Sequence, residues 1–366
     1  MKNIISYATC ISVFTTCMVV GCNNNHDFQD NVYFVRDNFA ETKIMSDPEI
    51  ISIDSLLYPA SFKVINDSLL VVGNQPVCEY LLEIYSLKSH QQLAKHITKG
   101  NGPGEMLSCA VDLHTNTGNS FYLQDYNSHT YYLTNIDTLL NCKRFSPLSS
   151  FRYSSDVLIN SQLLVFDNDT YLGCNMWYSP EPSFDNGKSS PISFYRKGEE
   201  TNTDQTSYKF FTAPVNGMLL WKDSKNARQL WSADMHSDRI CIYDDSLKVK
   251  RTIVGPDNFE LSYEKVQSNT PLAFITFTDK RDVRTYADYF ITSEHIYLLY
   301  VGTEFFDPMK LPDVEVFKLD FDGNLLCNYK FDRYIYSISI DKSENFLYCA
   351  SRENVQEVPV FLKYEL

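Results

Sequence analysis

Short apolar runs separated by polar turns recur along the chain, and windows with a sustained helical period are few. This alternation is typical of an all-β protein. Six times a polar turn leads into a short apolar run, and the centres of these runs are Leu70, Tyr122, Tyr171, Leu230, Tyr297 and Leu347. The intervals between the centres are 52, 49, 59, 67 and 50 residues. Three of them match a four-stranded propeller blade, and two are lengthened by insertions.

A second hairpin follows the apolar runs. The clearest example pairs Val314–Leu319 with Leu325–Tyr329 through the turn Asp322-Gly323-Asn324, a typical hairpin turn sequence. The same plan appears at two further places: Leu82–Tyr85 with Leu93–Ile97, and Ile240–Tyr243 with Val249–Ile253. Six units of four antiparallel strands predict a six-bladed β-propeller.

The two ends of the chain predict how the ring closes. The sixth unit offers strands near 336–340, 346–348 and 358–362, and its outermost strand is missing before the last residue, Leu366. Glu49–Ile53 is β-branched and belongs to no unit. We expect this segment to complete the last blade, which would remove an open sheet edge. Residues 265–282 are interpreted as an insertion before the fifth blade.

The first 22 residues have the layout of a bacterial lipoprotein signal. Lys2 gives a cationic start, residues 4–20 are apolar or small and uncharged, and Val19-Val20-Gly21-Cys22 resembles the lipobox. We expect export, cleavage before Cys22 and lipid attachment to that cysteine. A retained anchor helix is the alternative, but 17 residues are marginal for a membrane span. The predicted division is a signal peptide at 1–21, a lipidated tether at 22–45 and the propeller at 46–366.

Charge restricts the classes of partner. The formal net charge is −14, and removal of the signal peptide with Lys2 makes it −15. Such an acidic body repels phosphate backbones and anionic lipid head groups, so we expect no nucleic acid partner and a membrane contact made through the lipid. We expect a monomer at the outer membrane, facing either the periplasm or the cell surface.

The cysteine pattern indicates neither a metal site nor a complete disulfide framework. Of ten cysteines, two lie in the signal peptide and Cys22 receives the lipid, which leaves seven. Seven is odd, and no Cys-x-x-Cys occurs. Most of these cysteines stand beside aliphatic or aromatic residues, which favours free thiols in the core. We expect no metal and no cofactor.

A glycine-rich segment, Gly100-Asn101-Gly102-Pro103-Gly104-Glu105, follows the first unit. A phosphate-binding loop would need a helix after it, whereas Cys109–Leu113 has the pattern of a strand. The segment is therefore interpreted as an architectural connector. It resembles the Gly-x-Gly-Pro-Gly-Glu signature of the six-bladed, TolB-like propeller lipoproteins of Bacteroidetes. The resemblance implies an envelope lipoprotein without an established catalytic set.

Other motifs offer little chemistry. Asp320-Phe321-Asp322-Gly323-Asn324 is similar to a calcium loop, but the Glu that an EF-hand needs is absent, so a hairpin turn is favoured. His236, Ser237 and Asp238 are triad residue types, but adjacent side chains in a turn cannot align as a triad. The aromatic pairs Trp177-Tyr178 and Phe305-Phe306 are candidate contacts for a sugar or a protein.

Three functions remain open from the sequence. The first is a non-catalytic scaffold that binds an envelope protein or a glycan, because loops from all blades of a propeller converge at the ends of its channel. The alternative is a polysaccharide hydrolase or lyase with acidic residues at one channel mouth. A purely structural envelope component is the third.

Overall fold

The polar turns of the repeat that the structure describes join paired strands, and successive hairpins form small antiparallel sheets. The computed structural model describes residues 30–366 except 54–57, 118, 158–162, 167–168, 176–191, 199–209, 212–217, 225–226, 261–263, 268–272, 277–282 and 355. Six sheets stand in a ring, so the predicted six-bladed β-propeller is confirmed.

Three short strands precede the first blade: β1 (Asp30–Tyr33), β2 (Glu41–Met45) and β3 (Glu49–Ile51). A 3₁₀ turn over Arg36–Asn38 separates the first two. Blade 1 consists of β4 (Pro59–Ile65), β5 (Leu69–Asn74), β6 (Tyr80–Ser86) and β7 (Gln92–Thr98). Blade 2 consists of β8 (Ala110–Thr117), β9 (Ser120–Asp125), β10 (Thr130–Asn135) and β11 (Ser149–Arg152), with the helix α1 (Ile136–Asn141) after β10.

Blade 3 shows three strands in its described part: β12 (Leu164–Val165), β13 (Thr170–Cys174) and β14 (Ile192–Arg196). Blade 4 consists of β16 (Met218–Ser224), β17 (Ala227–Ala233), β18 (Arg239–Tyr243) and β19 (Val249–Val254). The insertion expected at 265–282 contributes to a small separate sheet of β15 (Phe210–Phe211), β20 (Glu264–Gln267) and β21 (Ala273–Thr276).

Blade 5 consists of β22 (Arg284–Ile291), β23 (His295–Thr303), β24 (Glu315–Asp320) and β25 (Leu325–Phe331). Blade 6 consists of β26 (Ile335–Ile340), β27 (Phe346–Ser351) and β28 (Val360–Glu365), with β3 as its fourth strand. In this last sheet Ile51 pairs with Phe361 and Glu49 with Lys363, antiparallel. The expected closure of the ring by the N-terminal strand is confirmed.

The described residues before β3 form two further strands that pair with blades 4 and 5. β1 adds to blade 4 beside β19, and β2 adds to blade 5 beside β25, both in parallel pairing. Between them Phe34 and Phe39 are buried against Phe317 of blade 5. Residues 30–51, which we call the belt, therefore run along the outer edges of three successive blades. The predicted boundary at residue 46 falls within this belt.

The hydrophobic core is divided among the blade interfaces. Six clusters of buried side chains are present among the described residues, and each lies between two neighbouring blades. None of the seven described cysteines is bonded to another in a disulfide, and four of them, Cys109, Cys174, Cys327 and Cys349, are buried. Burial, aided by nearby Asp234, raises the pKa of the Cys174 thiol to about 12. Such a thiol behaves as a small apolar side chain.

The two ends of the channel are formed by different sets of turns. In every blade the first strand is innermost, and the turn to the second strand points to one end of the ring. We call this end the hairpin mouth. The turns between second and third strands and the connections from one blade to the next lie at the opposite end, which we call the linker mouth.

Candidate functional site

A cavity of about 310 Å³ opens at the hairpin mouth. Its rim is polar, and its inner wall is mainly apolar. The rim residues are Asn66, Asp67, Ser120, Thr292, Ser293, Asp341 and Lys342, and the wall residues are Val64, Ile65, Phe290, Ile291 and Ile340. These residues come from blades 1, 2, 5 and 6. The volume lies at the lower end of the range for small-molecule sites.

The rim is built from the same turns that mark the sequence repeat. In blade 1, Asn66 and Asp67 both have φ of 52°, and the Ser68 nitrogen donates to the Ile65 oxygen at 3.3 Å. Positive φ at both central positions is the two-residue hairpin geometry that suits the twist of the strands. Asparagine and aspartate tolerate this geometry better than most residues. Local turn chemistry thus places polar side chains around the channel.

Hydrogen bonds between blades hold the rim in place. The Lys342 backbone nitrogen donates to Asp67 Oδ1 at 3.1 Å, which joins blade 6 to blade 1. The Asn66 side-chain amide donates to Asn119 Oδ1 at 2.8 Å, which joins blade 1 to blade 2. Since the rim groups are fixed before a ligand arrives, little conformational entropy is lost on binding.

A buried lysine lies in the channel next to this cavity. Lys63 is 3% exposed, and its Nζ is 3.4 Å from the Ile338 carbonyl oxygen and 5.4 Å from the ring centroid of Phe290. No carboxylate of the described residues lies within ion-pair distance of Lys63. A buried ammonium is costly without such a partner. Lys63 therefore places a cationic group in the channel beside the wall residue Phe290.

A charged cluster at the edge of the cavity joins blades 5 and 6. Glu344, in the first turn of blade 6, accepts hydrogen bonds from Tyr297 at 2.9 Å and from Lys318 at 2.9 Å. It also contacts His295 Nδ1 at 2.7 Å and accepts from the Thr292 hydroxyl. Burial alone would raise the pKa of Glu344, but these hydrogen bonds outweigh it and lower the pKa to about 2. The carboxylate fixes the position of the rim residue Thr292.

The glycine-rich segment lies at the linker mouth and has internal order. Gly104 has φ of 80°, a backbone conformation that residues with a β-carbon rarely adopt. Gly100 and Gly102 have a different reason to lack a side chain. The Glu105 carboxylate folds back over both, and Gly102 donates its N–H to Glu105 Oε2 at 2.7 Å. The segment connects blades 1 and 2 and agrees with the architectural interpretation.

The remaining sequence candidates form no joint site. Asp320 accepts hydrogen bonds from the backbone nitrogens of Asp322 and Asn324, as a hairpin turn requires. His236, Ser237 and Asp238 contact three different partners, which are the Val283 oxygen, Asp234 and the Tyr300 hydroxyl. Phe305 is exposed, and Phe306 packs on Tyr334. Cys22 and Trp177-Tyr178 lie outside the described residues.

Neither a metal-binding cluster nor a membrane-spanning helix is present among the described residues. No group of three or more His, Cys, Asp or Glu side chains is arranged to hold a metal ion in this part of the chain. No helix in the described segments is long and apolar enough to cross a membrane.

From the sequence, binding was predicted at the channel ends, but none of the rim residues was assigned to a binding site. The sequence does contain a pattern that points to the rim residues. Three of the polar turns of the repeat contain or adjoin them: Asn66-Asp67, Thr292-Ser293 and Asp341-Lys342. Equivalent turns of a propeller meet at the same mouth. No sequence pattern predicted that Lys63 is buried, because a single lysine inside a strand pattern is usually exposed.

Comparison with known proteins supports the fold. No family model matches the chain, and no curated protein does. A member of the DUF4221 family from Bacteroides vulgatus has a similar structure, with a TM-score of 0.53 and 13% identity over 88% of this chain and 97% of that one. A Bacteroides fragilis protein assigned as exported has a TM-score of 0.45 at 11% identity over 93% and 99%. The C-terminal WD40 domain of Sif2 has 0.40 at 12% over 89% and 99%.

The class is therefore that of the six-bladed β-propellers, here with a polar-rimmed cavity at the hairpin mouth. The first of these likenesses extends over nearly the full length of both chains.

Proposed function

We propose that this protein is a non-catalytic binding protein of the bacterial cell envelope. It is anchored by lipid on Cys22, is related to the TolB-like propeller lipoproteins of Bacteroidetes, and binds a glycan at the hairpin mouth. The cavity of about 310 Å³ with its polar rim carries the proposal. Export and lipidation rest on Val19-Val20-Gly21-Cys22 and on the glycine-rich signature.

The chemistry of the cavity suits a sugar. Hydroxyl groups of a sugar both donate and accept hydrogen bonds, and the rim offers carboxylate, amide and hydroxyl groups from Asp67, Asn66 and Thr292. Phe290 provides an aromatic surface against which the apolar face of a pyranose ring can pack. The volume admits a small ligand, such as the terminal residue of a longer glycan.

The rim carboxylates have structural partners of their own. Asp341 accepts from the Phe346 backbone nitrogen at 2.7 Å and from the Ser343 hydroxyl. Asp67 accepts from the Lys342 nitrogen. A glycoside hydrolase needs one carboxyl group that donates a proton and a second that acts as nucleophile or base. Carboxylates committed to holding turns favour binding over that chemistry.

The test is a glycan array probed with the mature protein and with two matched variants. Ser293 is exposed on the rim, so Ser293→Trp fills the opening with a bulky ring. Ser89 is exposed on an outer turn of blade 1, and Ser89→Trp makes the same chemical change away from the cavity. We expect binding to a defined glycan set that Ser293→Trp abolishes and Ser89→Trp preserves. Equal binding by all three proteins would contradict the site, and no glycan binding by the parent would contradict the function.

A further inference from the structure

A group of cationic and aromatic side chains stands at the linker mouth, on the opposite side of the ring from the cavity. Arg284 begins β22, Phe306 follows β23, Tyr334 precedes β26, Tyr336 lies in it, and Arg352 follows β27. We call these five residues the arginine–aromatic cluster. They come from blades 5 and 6.

The two arginines lie over aromatic rings. The guanidinium carbon of Arg352 is 5.0 Å from the ring centroid of Tyr336, and that of Arg284 is 5.7 Å from the centroid of Phe306. The rings of Phe306 and Tyr334 are 5.9 Å apart. Cation–π contacts of this kind hold a guanidinium in position.

Arg352 lacks the anionic partners that Arg36 has in this protein. Among the described residues its Nε is buried and has no hydrogen-bond partner, and the hydroxyl of Tyr336 is likewise buried and has none. Across the described part of the chain, no carboxylate lies within ion-pair distance of Arg352. Arg36 provides the contrast, because Asp257 and Glu315 neutralise it at 2.6 Å and 2.7 Å.

Two positively charged side chains lie near Tyr334. The protein carries a net charge of −14, yet the charged groups that act on Tyr334 are Arg352 and Arg284. Burial raises the pKa of Tyr334, and the two arginines oppose that rise. An anionic ligand bound by the guanidinium would supply the charged partner that Arg352 lacks among the described residues.

We propose that the arginine–aromatic cluster is a second ligand site, specific for the acidic group of an anionic sugar. The guanidinium of Arg352 binds the carboxylate or sulfate, and the adjacent aromatic side chains pack against the sugar ring. A planar guanidinium matches the two oxygens of a carboxylate, and stacked aromatics suit the apolar face of a pyranose. The site does not depend on the cavity at the hairpin mouth.

Isothermal titration calorimetry tests the proposal with trigalacturonic acid, a sulfated galactose disaccharide and the uncharged galactobiose. We expect the parent to bind at least one of the two acidic sugars and to bind galactobiose at least about tenfold more weakly. The carboxylate and sulfate arms identify which anion the site takes. Binding of neither acidic sugar, or equal affinity for galactobiose, would overturn the proposal.

Two arginine variants assign the site. Arg352→Gln removes the cluster cation, whereas Arg333→Gln removes a nearby arginine that Asp332 neutralises at 3.0 Å. We expect Arg352→Gln to weaken binding about tenfold or more, with an unchanged thermal melt, and Arg333→Gln to stay within about twofold of the parent. Ser293→Trp should leave acidic-sugar binding intact, which separates this result from the fate of the hairpin-mouth cavity. Equal affinities of both arginine variants would contradict the assignment.

Discussion

The carboxylate oxygen Oε2 of Glu105 lies 2.7 Å from the backbone nitrogen of Gly102. A β-carbon built on Gly102 would stand 2.8 Å from the same oxygen, which is closer than real contacts of this kind. The spacing of glycine and glutamate in this segment therefore has a steric origin. The glycines leave room for a side chain that closes the segment on itself.

Substitution of Gly104 should lower stability. Its φ of 80° is strained for any residue with a β-carbon, and the added atom would lie 3.0 Å from the Phe145 oxygen. We expect Gly104→Val to reduce the free energy of unfolding by about 1–3 kcal/mol. Glu105→Gln should cost about 1 kcal/mol, since a neutral acceptor replaces a charged one. Urea denaturation measures both. Unchanged melting of Gly104→Val together with lost glycan binding would instead place the segment in a functional site.

Acid should weaken the junction between blades 5 and 6 through Glu344. Its pKa of about 2 in the folded protein lies below the ordinary value of 4.5. A lowered carboxyl pKa stabilises the fold above pH 4.5, and this stabilisation is lost as the pH falls from 4.5 towards 2. Solvent screens this partly exposed group, so the shift corresponds to about 1–2 kcal/mol, and Glu344→Gln should be less stable at pH 7 and less sensitive to acid. Urea denaturation at pH 7 and pH 3 measures this.

Glu294→Gln is the control for that measurement, because Glu294 is exposed in the neighbouring turn. Its stability should follow the parent at both pH values. An acid response of Glu344→Gln identical to that of the parent would contradict the role of Glu344.

Much of the fold was predictable because the repeat is local. The six marker residues all lie in the second strands of their blades, and Glu49–Ile53 contains the closing strand. The belt was missed for a physical reason. β1 and β2 lie along outer sheet edges, where few side chains point inward; in β2 only Met45 is buried. Edge strands of this kind lack the alternation that reveals other strands.

The sites were less predictable than the fold. The position of a turn within the repeat indicates which mouth of the channel it lines, so the polar rim could be predicted from the sequence. Arg284 and Arg352 are 68 positions apart and meet only because blades 5 and 6 are neighbours. The partners of Glu344 are likewise distant in the chain. Long-range contacts of this type follow from blade packing and leave no local pattern.

The belt should contribute to stability. A chain of residues 30–366 contains Phe34, Phe39 and Met45, which are buried in the cores of blades 4 to 6. A chain of residues 46–366 lacks them but keeps the closing strand β3. We expect the shorter chain to lose about 4 kcal/mol or more of unfolding free energy, from three buried apolar side chains. Equal urea midpoints and slopes for the two chains would show that the belt is dispensable.

Lipid attachment should depend on Cys22. In the mature protein from a bacterial host, mass spectrometry of the N-terminal peptide should find diacylglyceryl on Cys22, and the protein should partition into the detergent phase. Cys22→Ala should abolish the modification and move the protein to the aqueous phase. Cys78→Ala is the matched control and should behave as the parent. Detergent partitioning of Cys22→Ala equal to that of the parent would contradict lipidation at this residue.

The most direct test of the proposed function is a crystal structure of the protein bound to a glycan from the array. We predict a sugar ring in the cavity of about 310 Å³, with hydroxyl groups hydrogen-bonded to Asn66, Asp67 or Thr292 and one face against Phe290. A neutral glycan bound elsewhere, with the hairpin-mouth cavity holding only solvent, would contradict the account.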